Sequence, residues 1–314
     1  MKTSSFRFVG VVFLALVISL VPVYKVWSSA QAKDGLIAAD ASGVPSDAQA
    51  LSIDTTSVVA REPENEGFAT NAVDILQLVQ DHFGEDADKV GFYYEDLVSG
   101  EVVQMQADLQ FRTASVSKMI VLMALMERVS LGTASLSDVV VYSPYDFEWG
   151  SGVIAYEDLS QPYVAYQVGT LAEYAVVYSD NIAFNMLWRY LGTEEVYEFF
   201  ERVIGHETHR GVLYMSAEDA AKLMKLLYDG EGAHYVTLRE NLKHTVFPIL
   251  LEEYLPVGSV AHKVGFYMNY LHDAGIVYSE KGDYILSVFS VDLPNGYEAI
   301  AELSLKIYEA RANG

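Results

Sequence analysis

Eight consecutive residues, Met119 to Met126, are apolar without exception. A helix of that composition has no polar face to offer water, so it must be covered on all sides. It is far too short to cross a bilayer, which needs about 20 apolar residues. The chain therefore has to build a body around a central buried helix. With 314 residues, 51% of them apolar, there is enough material for that. Cysteine is absent, so no disulfide, thiolate metal site or cysteine nucleophile exists, and packing alone must carry the stability.

The N-terminus reads differently. Lys2 and Arg7 precede an apolar run from Phe8 to Tyr24, and Ala30-Gln31-Ala32 offers a small-x-small cleavage pattern. Residues 1–32 are expected to be a signal peptide or an N-terminal anchor, and the remainder is expected on the extracellular, cell-wall side. Residues 33–66, rich in Ala, Ser, Thr, Asp and Glu without a sustained period, read as a flexible linker. Residues 67–314 would form one domain, with a helical lobe over about 111–230. The formal charge is −23, and −26 once the three cations of the leader are removed. Such a surface repels nucleic acid and anionic lipid, so neither is an expected partner; membrane contact would come only through an uncleaved leader. The protein is expected to be a monomer.

Periodicity places a helix from Asn71 to about Gly84. It then places strands at Val90–Leu97 and Glu101–Met105, with a turn at Ser99-Gly100. Helices follow at Thr170–Val177, Ile182–Leu191, Glu195–Val203 and Ala217–Tyr228. Strands return at Ser259–Tyr267, Ala274–Tyr278 and Tyr284–Val291, before a last helix at about Tyr297–Ala310. Strands at both ends with helices between them predict an α/β (α+β) body. One antiparallel sheet would be built from both ends and flanked by helices, with an all-helical lobe beside it and the site at the junction.

Three short motifs stand in order along this body. Ser115-Val116-Ser117-Lys118 places a hydroxyl and an amine one helical turn apart at the head of the buried helix. A partly desolvated lysine loses proton affinity and can take the serine proton. The same pair could be merely a helix cap and a surface lysine. Ser179-Asp180-Asn181 supplies a hydroxyl that could pass a proton to a leaving nitrogen and an amide that could grip a substrate amide; it is also an ordinary turn between helices. Lys263-Val264-Gly265 supplies a cation for a substrate carboxylate and a glycine that would admit substrate to the strand edge. Lys-x-Gly also occurs at Lys33 and Lys89, so its position after the second motif is what distinguishes this copy. The seven histidines show no metal-ligand spacing, and the 22 tyrosines read as packing.

In this order the motifs resemble those of the penicillin-recognising serine hydrolases, closest to the class A β-lactamase-like branch. The likeness extends to Phe111-Arg112-Thr113-Ala114, Gly150-Ser151-Gly152, Tyr178, Asn185-Met186-Leu187, Ala261-His262 and the segment His272 to Tyr278. It implies a β-lactamase/penicillin-binding-protein transpeptidase-like fold. Ser115 would be the acylated nucleophile, Lys118 its general base and Ser179 the proton relay. Asn181, Lys263 and Gly265 would bind substrate, and the backbone N–H groups of Ser115 and Phe266 would form the oxyanion hole. The substrate would be a β-lactam or a D-Ala-terminated cell-wall peptide, with no metal or organic cofactor required.

Two departures matter. Class A enzymes carry a Glu-Pro-x-x-Asn loop whose glutamate activates the deacylating water. Here only His206 to Met215 separate two helices, and that motif is missing. Neither Glu207 nor Glu218 is expected to take its place. Val264 stands where the family has Thr or Ser. Acylation thus has its parts, while deacylation is expected to be slow. The alternatives are a D-alanyl-D-alanine carboxypeptidase and a non-catalytic wall-binding or regulatory protein on the same fold.

Overall fold

The computed structural model describes residues 74–313. The expected leader at 1–32, the linker at 33–66 and the first residues of the body lie outside the described residues. Helix α1 (Ile75–Phe83) is capped by Asp74, whose side chain accepts from the Gln77 N–H at 3.0 Å. The hairpin β1 (Val90–Asp96) and β2 (Val102–Met105) follows. Its turn is tied by Asp96 Oδ1, which accepts the N–H groups of Val98 and Ser99, both at 2.8 Å.

Strand β3 (Phe111–Arg112) leads through a tight turn, Ala114–Ser117, into α2 (Lys118–Ser130). Every residue of α2 from Lys118 to Met126 is buried, as its composition requires. Full burial of such side chains contributes about 1.5–3 kcal/mol each, which makes α2 the axis of the helical lobe. Around it stand α3 (Val168–Val177), α4 (Asn181–Leu191), α5 (Thr193–Ile204), α6 (Ala217–Asp229) and α7 (Ala233–Lys243). Two short ribbons complete this region. Strands β4 (Val139–Val141) and β5 (Ala165–Gln167) pair with each other, and β6 (Tyr214–Met215) pairs with β3.

The chain ends with β7 (Val260–Tyr267), β8 (Tyr270–Val277), β9 (Tyr284–Val291) and α8 (Gly296–Asn313). The main sheet is antiparallel in the order β2-β1-β9-β8-β7. Pairing of β1 with β9 joins the two ends of the body, as the strand pattern predicts. Side chains alternate across it. Tyr93, Ala274, Ile285 and Phe289 face the helical lobe, whereas Phe92, Tyr94, Leu286 and Val288 pack under α1 and α8. Strand β7 forms one edge, and that edge lies against the Ala114–Ser117 turn.

The short ribbons β3–β6 and β4–β5 had no counterpart in the sequence reading, and two larger elements differ from it. The second C-terminal strand starts at Tyr270 rather than Ala274, so β7 and β8 form a tight hairpin around Met268-Asn269. Polar His272 and Asp273 disguise the strand, yet both are fully buried with partners. His272 donates through Nε2 to the Arg112 carbonyl at 2.8 Å and accepts the Ser290 N–H at Nδ1 at 3.1 Å. Helix α7 gave no sequence signal because only Tyr235, Leu238 and Leu242 of its residues are buried.

Candidate active site

Ser115 lies in the turn between β3 and α2, and the helix proper begins only at Lys118. Ala114 before it has φ 45°, a left-handed conformation costing a non-glycine residue about 1–3 kcal/mol. The surroundings hold it there. Ser117 Oγ donates to the Ala114 carbonyl at 2.8 Å, and the Thr113 N–H donates to the Leu213 carbonyl at 3.2 Å. Gly265 of β7 presses on the same turn. A Cβ at this position would stand 3.0 Å from Val116 Cγ2 and 3.1 Å from the Thr113 carbonyl oxygen. The glycine expected to admit substrate thus also lets the sheet edge close on the turn that carries Ser115.

Lys118 Nζ donates to Ser115 Oγ at 3.1 Å and to Asn181 Oδ1 at 2.8 Å. Its side chain is buried, with the Phe184 ring centroid 5.5 Å from the nitrogen. Burial pushes the ammonium down to about 8, against the opposing attraction of Glu148 and Asp180. A minor share of neutral amine therefore exists near neutrality and grows through pH 8, one hydrogen bond away from the serine hydroxyl.

The Ser179-Asp180-Asn181 segment joins α3 to α4. Ser179 has φ 52°, a second strained residue within the site. Asp180 is buried and divides its oxygens between two tasks. Oδ1 caps α4 by accepting the Ala183 N–H at 2.8 Å, and Oδ2 accepts the N–H groups of Val153 and Ile154 at 2.6 and 2.9 Å. These bonds fasten the 150–154 loop onto the helix end. Gly152 makes the contact possible: its φ is 126°, and a Cβ would fall 2.3 Å from Asp180 Oδ2. Asn181 then directs Oδ1 to Lys118 and Nδ2 to the Trp149 carbonyl at 3.2 Å.

On the other side, Lys263 Nζ donates to Ser179 Oγ and to the Val264 carbonyl, both at 3.0 Å. Lys263 is 1% exposed. Burial, reinforced by repulsion from Lys118, holds it well below the usual ammonium range, with Asp273 pulling the other way. An anion arriving there would supply the countercharge that Lys263 lacks. The neighbouring Val264 side chain packs into the apolar cluster on the α8 side of the sheet.

The six side-chain and glycine positions expected from the sequence thus converge: Ser115, Lys118 and Asn181 in one chain of contacts, Ser179 and Lys263 in another, Gly265 against the turn. Phe266 follows Gly265 on the same edge strand. The 205–213 loop turns to other partners. Arg210 pairs with Glu201 at 3.1 Å, the Gly211 N–H donates to Tyr197 Oη at 2.8 Å, and His206 Nε2 lies 3.0 Å from Asp219 Oδ1. Glu207 is exposed, and Glu218 pairs with Lys222 at 3.0 Å. The carboxylate that sequence reasoning missed is Glu148. It accepts from Asn181 Nδ2 at 3.4 Å and from Asn185 Nδ2 at 3.0 Å. Its position two residues before Gly150-Ser151-Gly152 was the available signal.

The fold and the order of the motifs are those of the β-lactamase-like serine hydrolases. Residues 74–310 match the family model described as the Beta-lactamase enzyme family, and the chain belongs to that family. Beta-lactamase ROB-1 of Haemophilus influenzae is 31% identical over 119 residues, covering 37% of this chain. That match spans 36% of the curated relative's length. Among solved structures, PBP-A superposes with a TM-score of 0.69 at 26% identity, over 77% of this chain and 97% of PBP-A. The TLA-3 extended-spectrum β-lactamase gives 0.68 at 16% identity, over 76% of this chain and 98% of that one, a likeness of fold. The β-lactamase of Sphaerobacter thermophilus gives 0.67 at 21%, over 76% and 97%, again a likeness of fold.

Proposed function

We propose that this chain is an exported serine hydrolase that opens a β-lactam, or cleaves the terminal amide of a D-Ala peptide, through an acyl-Ser115 intermediate. The observation that carries this reading is the buried Lys118 amine, 3.1 Å from Ser115 Oγ and with its proton affinity lowered to about 8. As Ser115 Oγ attacks the carbonyl carbon, neutral Lys118 takes the hydroxyl proton. The oxyanion is received by the backbone N–H groups of Ser115 and Phe266. The C–N bond then breaks, Ser179 passes its hydroxyl proton to the leaving nitrogen, and the proton that Lys118 took restores the Ser179 hydroxyl. Lys263 faces the substrate carboxylate, and Asn181 Nδ2 holds the acylamide carbonyl.

Deacylation is the slow half of the cycle. The 205–213 loop is short and committed to Glu201, Tyr197 and Asp219, which favours a second reading as a D-alanyl-D-alanine carboxypeptidase. The likeness to PBP-A supports it, and a variant of that protein is known as an acyl-enzyme complex with penicillin G. Stopped-flow nitrocefin hydrolysis by residues 33–314, followed by intact mass, tests the proposal. A burst of about one equivalent with a stable adduct is expected. Sustained turnover would mean another route of deacylation. No burst and no adduct would leave a non-catalytic wall protein as the reading.

A further inference from the structure

We propose that Glu148, flanked by Phe147 and Trp149, forms a subsite for a positively charged group on the acyl half of the substrate. The inference rests on acylation at Ser115 with Asn181 as the acylamide binder, and it adds a substrate class to that reading.

Asn181 Nδ2 has two acceptors in the free protein, the Trp149 carbonyl at 3.2 Å and Glu148 Oε1 at 3.4 Å. The bond to Glu148 is the longer, so it is the one an incoming acylamide carbonyl replaces. Glu148 does not leave the site when this happens, because Oε2 still accepts from Asn185 Nδ2 at 3.0 Å. That amide is itself anchored: it also donates to the Asp146 carbonyl at 3.2 Å, and the buried Asp146 carboxylate pairs with Arg189 at 2.8 Å. A substrate seated on Asn181 therefore carries its acyl chain past a fixed carboxylate.

Glu148 attracts the nearby Lys118 ammonium, yet among the described residues no ion pair joins its carboxylate directly to a cationic side chain. Phe147 and Trp149, its neighbours in the chain, meet edge to face with ring centroids 5.2 Å apart, and Trp149 is 68% exposed. The net charge of −23 favours the approach of a cation to this rim and opposes that of an anion.

Three penicillins that differ only at the acyl α-carbon provide the test. Ampicillin carries an ammonium there, benzylpenicillin a hydrogen and carbenicillin a carboxylate. Acylation rate constants are measured by intact mass on the wild type, Glu148→Gln and Glu148→Lys, with circular dichroism confirming the fold. The wild type is expected to favour ampicillin over benzylpenicillin by about two- to fivefold, as for an exposed ion pair, with the preference shrinking in high salt. The ratio should fall towards one in Glu148→Gln, and Glu148→Lys should prefer carbenicillin. Equal rates for all three in the wild type, or a ratio unmoved by either substitution, would overturn the subsite and leave acylation standing. No adduct with any of the three would overturn acylation itself, and the subsite with it.

Discussion

A lysine three positions after a serine is an everyday helical spacing. What suits Lys118 to the proposed role of base is burial in a lobe whose axis begins at that lysine, with Ser115 and Asn181 taking two of its hydrogens. Burial disfavours the ammonium, and the resulting value of about 8 sets a pH dependence. Below it the amine is protonated and cannot accept the serine proton; above it the base is free. The acylation rate with benzylpenicillin should therefore rise with pH along a single limb centred near 8, measured by intact mass under single-turnover conditions. Lys118→Ala should lose about 10²–10⁴-fold, the usual contribution of a positioned base. A rate flat from pH 6 to 9 would exclude Lys118 from that role.

At the scale of elements, the site depends on joints rather than on any one helix. Asp180 is the clearest joint, since its carboxylate caps α4 and holds the 150–154 loop through three N–H groups. Asp180→Ala should cost about 2–4 kcal/mol, combining a lost cap with one buried and one half-buried donor left unpaired, read as a fall in the urea midpoint. Acylation should fall as well, because Asn181 and the Trp149 carbonyl lose their fixed separation. A variant with wild-type stability and rate would show that the joint is idle. The sequence revealed the turn, because Ser, Asp and Asn are turn formers, but not what the carboxylate reaches. Its partners, Val153 and Ile154, lie 27 and 26 residues away. The same limit hid Glu148, an exposed acidic residue in a loop, whose importance comes from two asparagines on α4. Local patterning found α1, α2 and the β1–β2 hairpin because their periods repeat within the element. It missed α7, with three buried side chains, the ribbon strands β3 to β6, two or three residues each, and the start of β8, where buried His272 and Asp273 break the apolar alternation.

For the whole molecule, the site exists because two lobes made from different parts of the chain meet along one edge. Ser115, Lys118, Ser179 and Asn181 come from the helical lobe, and Lys263, Gly265 and Phe266 from the sheet edge. Closing the sheet by pairing β1 with β9 gives β7 a fixed place, and Gly265 sets how near it stands to Ser115. The ordered motifs made this meeting legible in the sequence, since ordinary turns and chance matches explain the three motifs in that order poorly. The distance at which the lobes meet came only with the structure. The most direct measurement is mass spectrometry of the protein after benzylpenicillin, with peptide mapping, on the wild type and Ser115→Ala. The account predicts one adduct per chain, on the peptide containing Ser115, and none on a folded Ser115→Ala variant. Equal labelling of the variant, or an adduct mapped to another residue, would contradict it.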